Sequence, residues 1–98
     1  MEKVVDQDSE RAIRRRRLKF RAWHRGMREM DLILGRFADA EIDRLDDREL
    51  AAFEALLEEP DKDVFSWFCG EMPVPQRHDT AFFARLKAFP VHETPESN

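Results

Sequence analysis

Apolar residues along this chain recur at three- and four-residue steps and almost nowhere alternate. That is the spacing of helix faces and not of strands. The clearest stripe is Met30, Ile33, Leu34, Phe37, Ala38 and Leu45, which predicts a helix beginning near Met27 with one face in a core. Gly35 inside this stretch costs about 1 kcal/mol relative to alanine, so a bend or a close helix contact is expected there. A second stripe, Leu50, Phe53, Leu56 and Leu57, follows the strongest helix-start signal in the sequence. Asp46 can cap, Glu49 stands at the third helical position, and Leu45 and Leu50 bracket the start as a hydrophobic staple. Pro60 is expected to stop that helix.

On either side the pattern is weaker. Upstream, a helix is expected from about Glu10 to His24, with Ser9 as N-cap and Glu10 in the first turn. Its apolar residues Ile13, Leu18, Phe20, Ala22 and Trp23 are fewer than its charges, so it should bury only a narrow stripe. Gly26 should end it by taking the left-handed conformation. Downstream, a short helix after Asp61 should bury Val64, Phe65, Trp67 and Phe68 and end at Gly70. Pro73 and Pro75 mark a loop, and a last helix is expected from about Asp79 to Ala88, with Phe82, Phe83, Leu86 and Phe89 as its apolar set and Pro90 as its terminator. The prediction is all-α: a compact five-helix bundle forming a single domain over residues 9–90, with a disordered N-terminus (1–8) and a flexible tail (91–98).

Composition agrees with helices and narrows the chemistry. The 98 residues include no tyrosine and three glycines, and 39% are charged. A domain of this length buries about 60–65% of its unfolded surface, which leaves little volume for a deep cleft. Cys69 is the single cysteine, so neither an internal disulfide nor a multi-cysteine zinc site can be built; it is read as a small apolar residue beside Trp67 and Phe68. His24, His78 and His92 are scattered without metal-ligand spacing, and each is expected to be a lone surface histidine. Glu29 and Asp31, two apart, point to different helix faces and make no paired-carboxylate site. No nucleophile triad, phosphate loop or Gly-rich dinucleotide pattern occurs. No apolar stretch in the first thirty residues resembles a signal-peptide core and none reaches membrane-spanning length, so a cytoplasmic protein without membrane insertion is expected. The aromatic residues at 65, 67, 68, 82, 83 and 89 are read as core, at roughly 1.5–3 kcal/mol per buried side chain.

Charge changes the picture. The net −4 divides into −3 over residues 1–10, +9 over residues 11–28, which hold no acid, and −10 over residues 29–98. The segment Arg14-Arg15-Arg16-Arg17-Leu18-Lys19-Phe20-Arg21 has three readings: a solvated helix face or frayed basic arm, a surface for an acidic protein, or a phosphate-binding helix with Phe20 or Trp23 stacking on bases. Nucleic acid is not expected as a partner, because the acidic remainder would repel a polyanion. Next comes Arg25-Gly26-Met27-Arg28-Glu29, followed by Met30-Asp31, where two helices meet at a glycine. Glu29 suits the positive end of its helix, and Arg25 can reach across the turn toward it. This is either a capped joint carrying surface charges or a contact surface for a partner.

Those residues carry a resemblance. Arg17-Leu18-Lys19-Phe20, Arg25-Gly26-Met27-Arg28-Glu29, Asp31-Leu32-Ile33-Leu34 and Phe37-Ala38 resemble the FAD assembly factors of succinate dehydrogenase, the SdhE family, whose signature is Arg-Gly-x-x-Glu. Asp63-Val64-Phe65-Ser66-Trp67-Phe68-Cys69-Gly70 resembles the family's Asp-x-Phe-x-Trp segment, with Leu56-Leu57-Glu58 at the expected distance before it. The similarity covers roughly residues 17–72, and nothing is carried onto residues 1–16 or beyond Pro73. It implies a five-helix fold and a chaperone-like, non-enzymatic role in flavinylation. The partner it implies is the flavoprotein subunit of succinate dehydrogenase, with fumarate reductase as a further bacterial client. The FAD belongs to the client, and no cofactor is expected on this chain. By resemblance the partner-binding residues are Arg25, Gly26 and Glu29, with Met27, Arg28 and Asp31 beside them. A monomer that forms a heterodimer with its client is expected. The alternatives are a nucleic-acid-binding or regulatory module using the Arg-rich helix, and a small enzyme that transfers FAD itself.

Overall fold

The computed structural model describes residues 7–89, with side chains from Ser9 onward. Its helices are α1 (Gln7–Trp23), α2 (Arg28–Glu41), α3 (Asp47–Leu57), α4 (Asp61–Cys69) and α5 (Ala81–Ala88), with single 3-10 turns at Ile42–Arg44 and Gln76–His78. No strand occurs among the described residues, and the all-α, five-helix expectation is met. The expectations placed on residues 1–6, on Pro90 and on the tail, His92 included, lie outside the described residues.

α1 and α2 form an antiparallel hairpin. Trp23 lies against Gly35 and bonds to Asp39, while Arg15, two turns earlier, reaches Ile42 and Leu45. Gly35 is the close helix contact that its position foretold: a Cβ there would overlap the indole of Trp23. The Trp23 Nε1–H donates to Asp39 Oδ1 at 3.1 Å, which holds the ring on that surface.

The buried stripe of α2 is the expected one, with Met30, Leu34, Phe37 and Ala38 almost wholly inaccessible. Phe37 is the hub of the core, meeting Phe53, Phe82 and Phe89 edge to face with ring centroids 5.9, 5.6 and 5.5 Å apart. α1 contributes only Leu18 and Ala22, the narrow stripe anticipated from its charge. At the start of α3 both halves of the capping box form, Glu49 N–H donating to Asp46 Oδ1 (2.9 Å) and Asp46 N–H to Glu49 Oε1 (3.0 Å). Arg85 of α5 then bonds Glu49 (2.7 Å) and Glu41 (2.8 Å), closing the bundle.

Several local expectations are corrected. Ser9 lies inside α1, which has already begun at Gln7. α3 ends at Leu57 without needing Pro60, which instead caps the start of α4 with extended backbone. α5 starts two residues later than Asp79, because Thr80 accepts the Phe83 N–H and sets the boundary. Phe65 and Phe68 are half-buried, packed on the rim of the core and not in it. Cys69 is exposed, since it is the last residue of α4 and faces away from the bundle.

Candidate functional site

The turn between α1 and α2 brings the partner-binding candidates together. α1 ends at Trp23, and Gly26 takes φ +100°, a conformation costing an L side chain of order 1–3 kcal/mol. Gly26 therefore takes the left-handed conformation expected of it, although the helix ends at Trp23, one residue earlier than His24. Met27 is extended and caps α2, with its side chain half-buried against the core.

Arg25 does not turn toward Glu29. Its guanidinium enters the joint between α3 and α4, where Nε donates to Asp61 Oδ1 (2.7 Å), Nη1 to the Leu57 carbonyl (2.8 Å) and Nη2 to the Glu59 carbonyl (3.0 Å). The physical reason is that the last carbonyl of α3, Leu57, has no intrahelical partner, while the Glu59 carbonyl in the link to α4 and an acid at the start of α4 lie in reach. The planar fork of arginine satisfies all three acceptors at once. Its own backbone N–H donates to Asp31 Oδ1 at 2.6 Å, so Asp31 is engaged in holding the turn as well. Side-chain exposure is 13% for Arg25 and 17% for Asp61.

The six candidates thus separate. Arg25 and Asp31 fix the turn from inside, and Met27 anchors it to the core. Gly26, Arg28 and Glu29 face solvent. The result is a rigid corner presenting one cation, one carboxylate and a stretch of backbone without a Cβ. Asp61 and the carbonyls of Leu57 and Glu59 were missed by sequence reading. No spacing rule links residues 36 apart, and Asp61 reads locally as a helix-start acid.

The Arg-rich helix is mostly paired with the chain's own acids. Arg11 grips Asp47 (2.9 and 3.1 Å) and Arg14 grips Glu54 (2.8 and 2.9 Å), each with two bonds. Arg21 bonds Glu58 at 2.9 Å, and Lys19 lies 3.8 Å from Asp39. Arg15 donates to the Ile42 and Leu45 carbonyls at 3.0 and 2.7 Å. The guanidinium groups of Arg11 and Arg14 hold the Asp47 and Glu54 carboxyls below their ordinary range, and Glu54 raises Arg14 in turn. Arg16, Arg17 and Arg28 are the cations of this segment that remain exposed and unpaired among the described residues. The basic run is therefore chiefly the mate of an acidic α3, which is why it is neither a frayed arm nor an open phosphate cradle.

His78 departs from the surface expectation. It is 6% exposed, tilted against Trp67 with ring centroids 5.4 Å apart, and its Nε2 lies 2.7 Å from Glu59 Oε2. Hydrogen bonds from His78 and then Arg77 hold the Glu59 carboxyl below its usual range. His24 is exposed as expected and stacks on Phe20 at 4.0 Å. No group of three or more potential metal ligands gathers among the described residues, and no described helix is long and apolar enough to cross a membrane.

Comparison with known proteins decides the family. Residues 16–90 match the family model described as the flavinator of succinate dehydrogenase. This chain belongs to that family. It is 43% identical over 75 residues to the FAD assembly factor SdhE of Acetobacter pasteurianus, covering 76% of this chain and 69% of that protein. It is 36% identical over 78 residues to the mitochondrial succinate dehydrogenase assembly factor 2 of Dictyostelium discoideum, and 41% identical over 81 residues to that of Mycosarcoma maydis. These alignments take in 80% and 82% of this chain but only 55% and 34% of the mitochondrial proteins. The flavinator match contains the whole α1–α2 corner, the α3–α4 joint that Arg25 closes, and α5. The first half of α1 lies before it.

Proposed function

We propose that this chain is an assembly factor that binds the flavoprotein subunit of succinate dehydrogenase, with fumarate reductase as a further client, and promotes covalent attachment of FAD. It acts in the cytoplasm as a monomer that becomes a heterodimer on meeting its client. It is not itself an enzyme: the bond between flavin and histidine forms by the client's chemistry, and the flavin is the client's cofactor. The observation that carries this reading is the α1–α2 corner, where Arg25 and Asp31 bond inward while Gly26, Arg28 and Glu29 face solvent. Gly26 lets a client backbone approach without a side chain in the way. Arg28 can take a client carboxylate or a flavin phosphate in two parallel bonds, and Glu29 can pair with a client cation.

The mechanism is differential binding. A factor promotes the flavinylation-competent geometry only by binding it more tightly than other geometries; moving a client from 1:99 to 99:1 takes about 5.5 kcal/mol of difference. A corner fixed before contact loses little entropy on binding, so more of its contact energy goes into that difference.

The test is co-expression with a succinate dehydrogenase flavoprotein subunit in cells lacking their own factor, with covalent flavin read as fluorescence of the denatured client. An Arg28→Ala/Glu29→Ala double variant is the control, because both side chains are exposed and unbonded. A bright client band that fades with the double variant is expected. A band equally bright without this chain would overturn the reading.

A further inference from the structure

Residues Ile13, Arg16, Arg17 and Phe20 fall on one face of α1, and His24 continues that line just past the helix end. This face is opposite the buried pair Leu18 and Ala22. Ile13 is 41% and Phe20 64% exposed, and with Met72 they are the large apolar side chains most open to solvent among the described residues. A shallow depression lined by Ile13, Arg16, Arg17, Phe20 and Arg21 joins them. The Phe20 ring stacks on His24, which carries the strip to the residue just before Arg25 and Gly26.

Nothing among the described residues accounts for this face. The cations on either side of it are bonded to Asp47, Glu54, Glu58 and Asp39, whereas Arg16 and Arg17 have no partner among the described residues. We infer that the outer face of α1 is a second contact surface for the flavoprotein client, taking an acidic client segment that places an apolar side chain between Ile13 and Phe20. The inference rests on the assembly-factor reading and extends it from the corner along the helix.

Charge and continuity choose the occupant. Two free guanidinium groups can neutralise about two phosphates, too few to hold a nucleic acid against the acidic remainder of the chain. They suffice for a protein segment that carries a pair of carboxylates beside an apolar anchor. A partner seated on the Gly26–Glu29 corner is already adjacent to His24 and Phe20, so one partner can cover both surfaces.

The test measures calorimetric binding of the full chain to the purified, not yet flavinylated flavoprotein subunit, at low and at high salt. Ile13→Ser/Phe20→Ser is expected to weaken binding about ten- to thirtyfold. Arg16→Glu/Arg17→Glu is expected to weaken it about tenfold or more and to flatten its salt dependence. All four side chains are exposed, and unchanged thermal melting confirms that the variants fold. If wild type fails to bind the client, the assembly-factor reading itself falls. If wild type binds, Arg28→Ala/Glu29→Ala weakens it and both α1 variants bind as wild type does, this inference alone is overturned. Sedimentation showing a wild-type dimer that Phe20→Ser dissociates would assign the face to a second copy and overturn it too. So would retention on single-stranded oligonucleotides that Arg16→Glu/Arg17→Glu abolishes.

Discussion

Removing the Arg25 side chain should damage the fold and not merely a contact surface. Arg25→Ala leaves the Asp61 carboxylate, 17% exposed, without its partner, and leaves the carbonyls of Leu57 and Glu59 without their donors. A hydrogen bond to a charged group is worth about 1.5–3 kcal/mol, and an orphaned buried acceptor costs about 1–3 kcal/mol. Partial solvent access discounts both, since water can reach part of the joint, and a net loss of about 2–4 kcal/mol follows. For a domain of this size each kcal/mol moves the melting temperature by about 4–8 °C, so a fall of roughly 10–30 °C is expected. Arg25→Lys should recover only part of it, because one ammonium cannot span three acceptors set for a planar fork. The assay is thermal unfolding of Arg25→Ala, Asp61→Ala and the double variant, which together give a coupling energy expected at about 1–3 kcal/mol. Arg28→Ala, exposed and unbonded, is the reference and should melt as wild type does. If Arg25→Ala melted with the reference, or the coupling were zero, the clamp would contribute nothing to stability and the reasoning would be refuted.

Two further predictions concern packing and pH. Gly35→Ala should lower the melting temperature even though alanine gains about 1 kcal/mol in helix propensity, because the new methyl overlaps the Trp23 ring and displaces its bond to Asp39; a higher melting temperature would show the ring is not pressed on the glycine. Asp47, Glu54 and Glu59 have folded-state affinities for protons held below the ordinary carboxylate range by Arg11, Arg14 and His78 respectively. Their contribution is therefore complete above the unfolded values near pH 4 and is lost as pH falls through the depressed folded values. Melting temperature should fall steeply in acid, with a shallower fall in Glu54→Gln, and equal slopes for variant and wild type would remove Glu54 from the account.

Much of the architecture was legible because it is local. The Asp46–Glu49 box forms as read, since its partners lie within one turn and their geometry depends on little else. The stripe from Met30 to Ala38 is buried as read, because periodicity alone puts those residues on one face. Gly35 was flagged by its unfavourable propensity, which tertiary contact with Trp23 explains. Helix ends were less secure. Pro60 was assigned to the end of one helix and serves the start of the next, because proline's fixed φ suits either place.

The functional corner divides along the same line. Its glycine and its family signature are sequence properties: a left-handed residue between two helical patterns can be found from residue types alone. The direction of Arg25 is not such a property. A flexible cation near Glu29 has a local partner in reach, and only the arrival of the α3–α4 joint offers it one carboxylate and two orphan carbonyls instead. His78 and the Arg-rich helix follow the same logic, for Glu59, Asp47 and Glu54 are 19 to 40 residues away from the side chains they bind. The sequence by itself determined which segments are helical, which faces are apolar and where the chain turns, since those depend on neighbours a few residues apart. Which charges are bonded inward and which remain to meet a partner was decided by tertiary structure alone. Ion pairing depends on distance in space, and that distance exists only once the helices have packed.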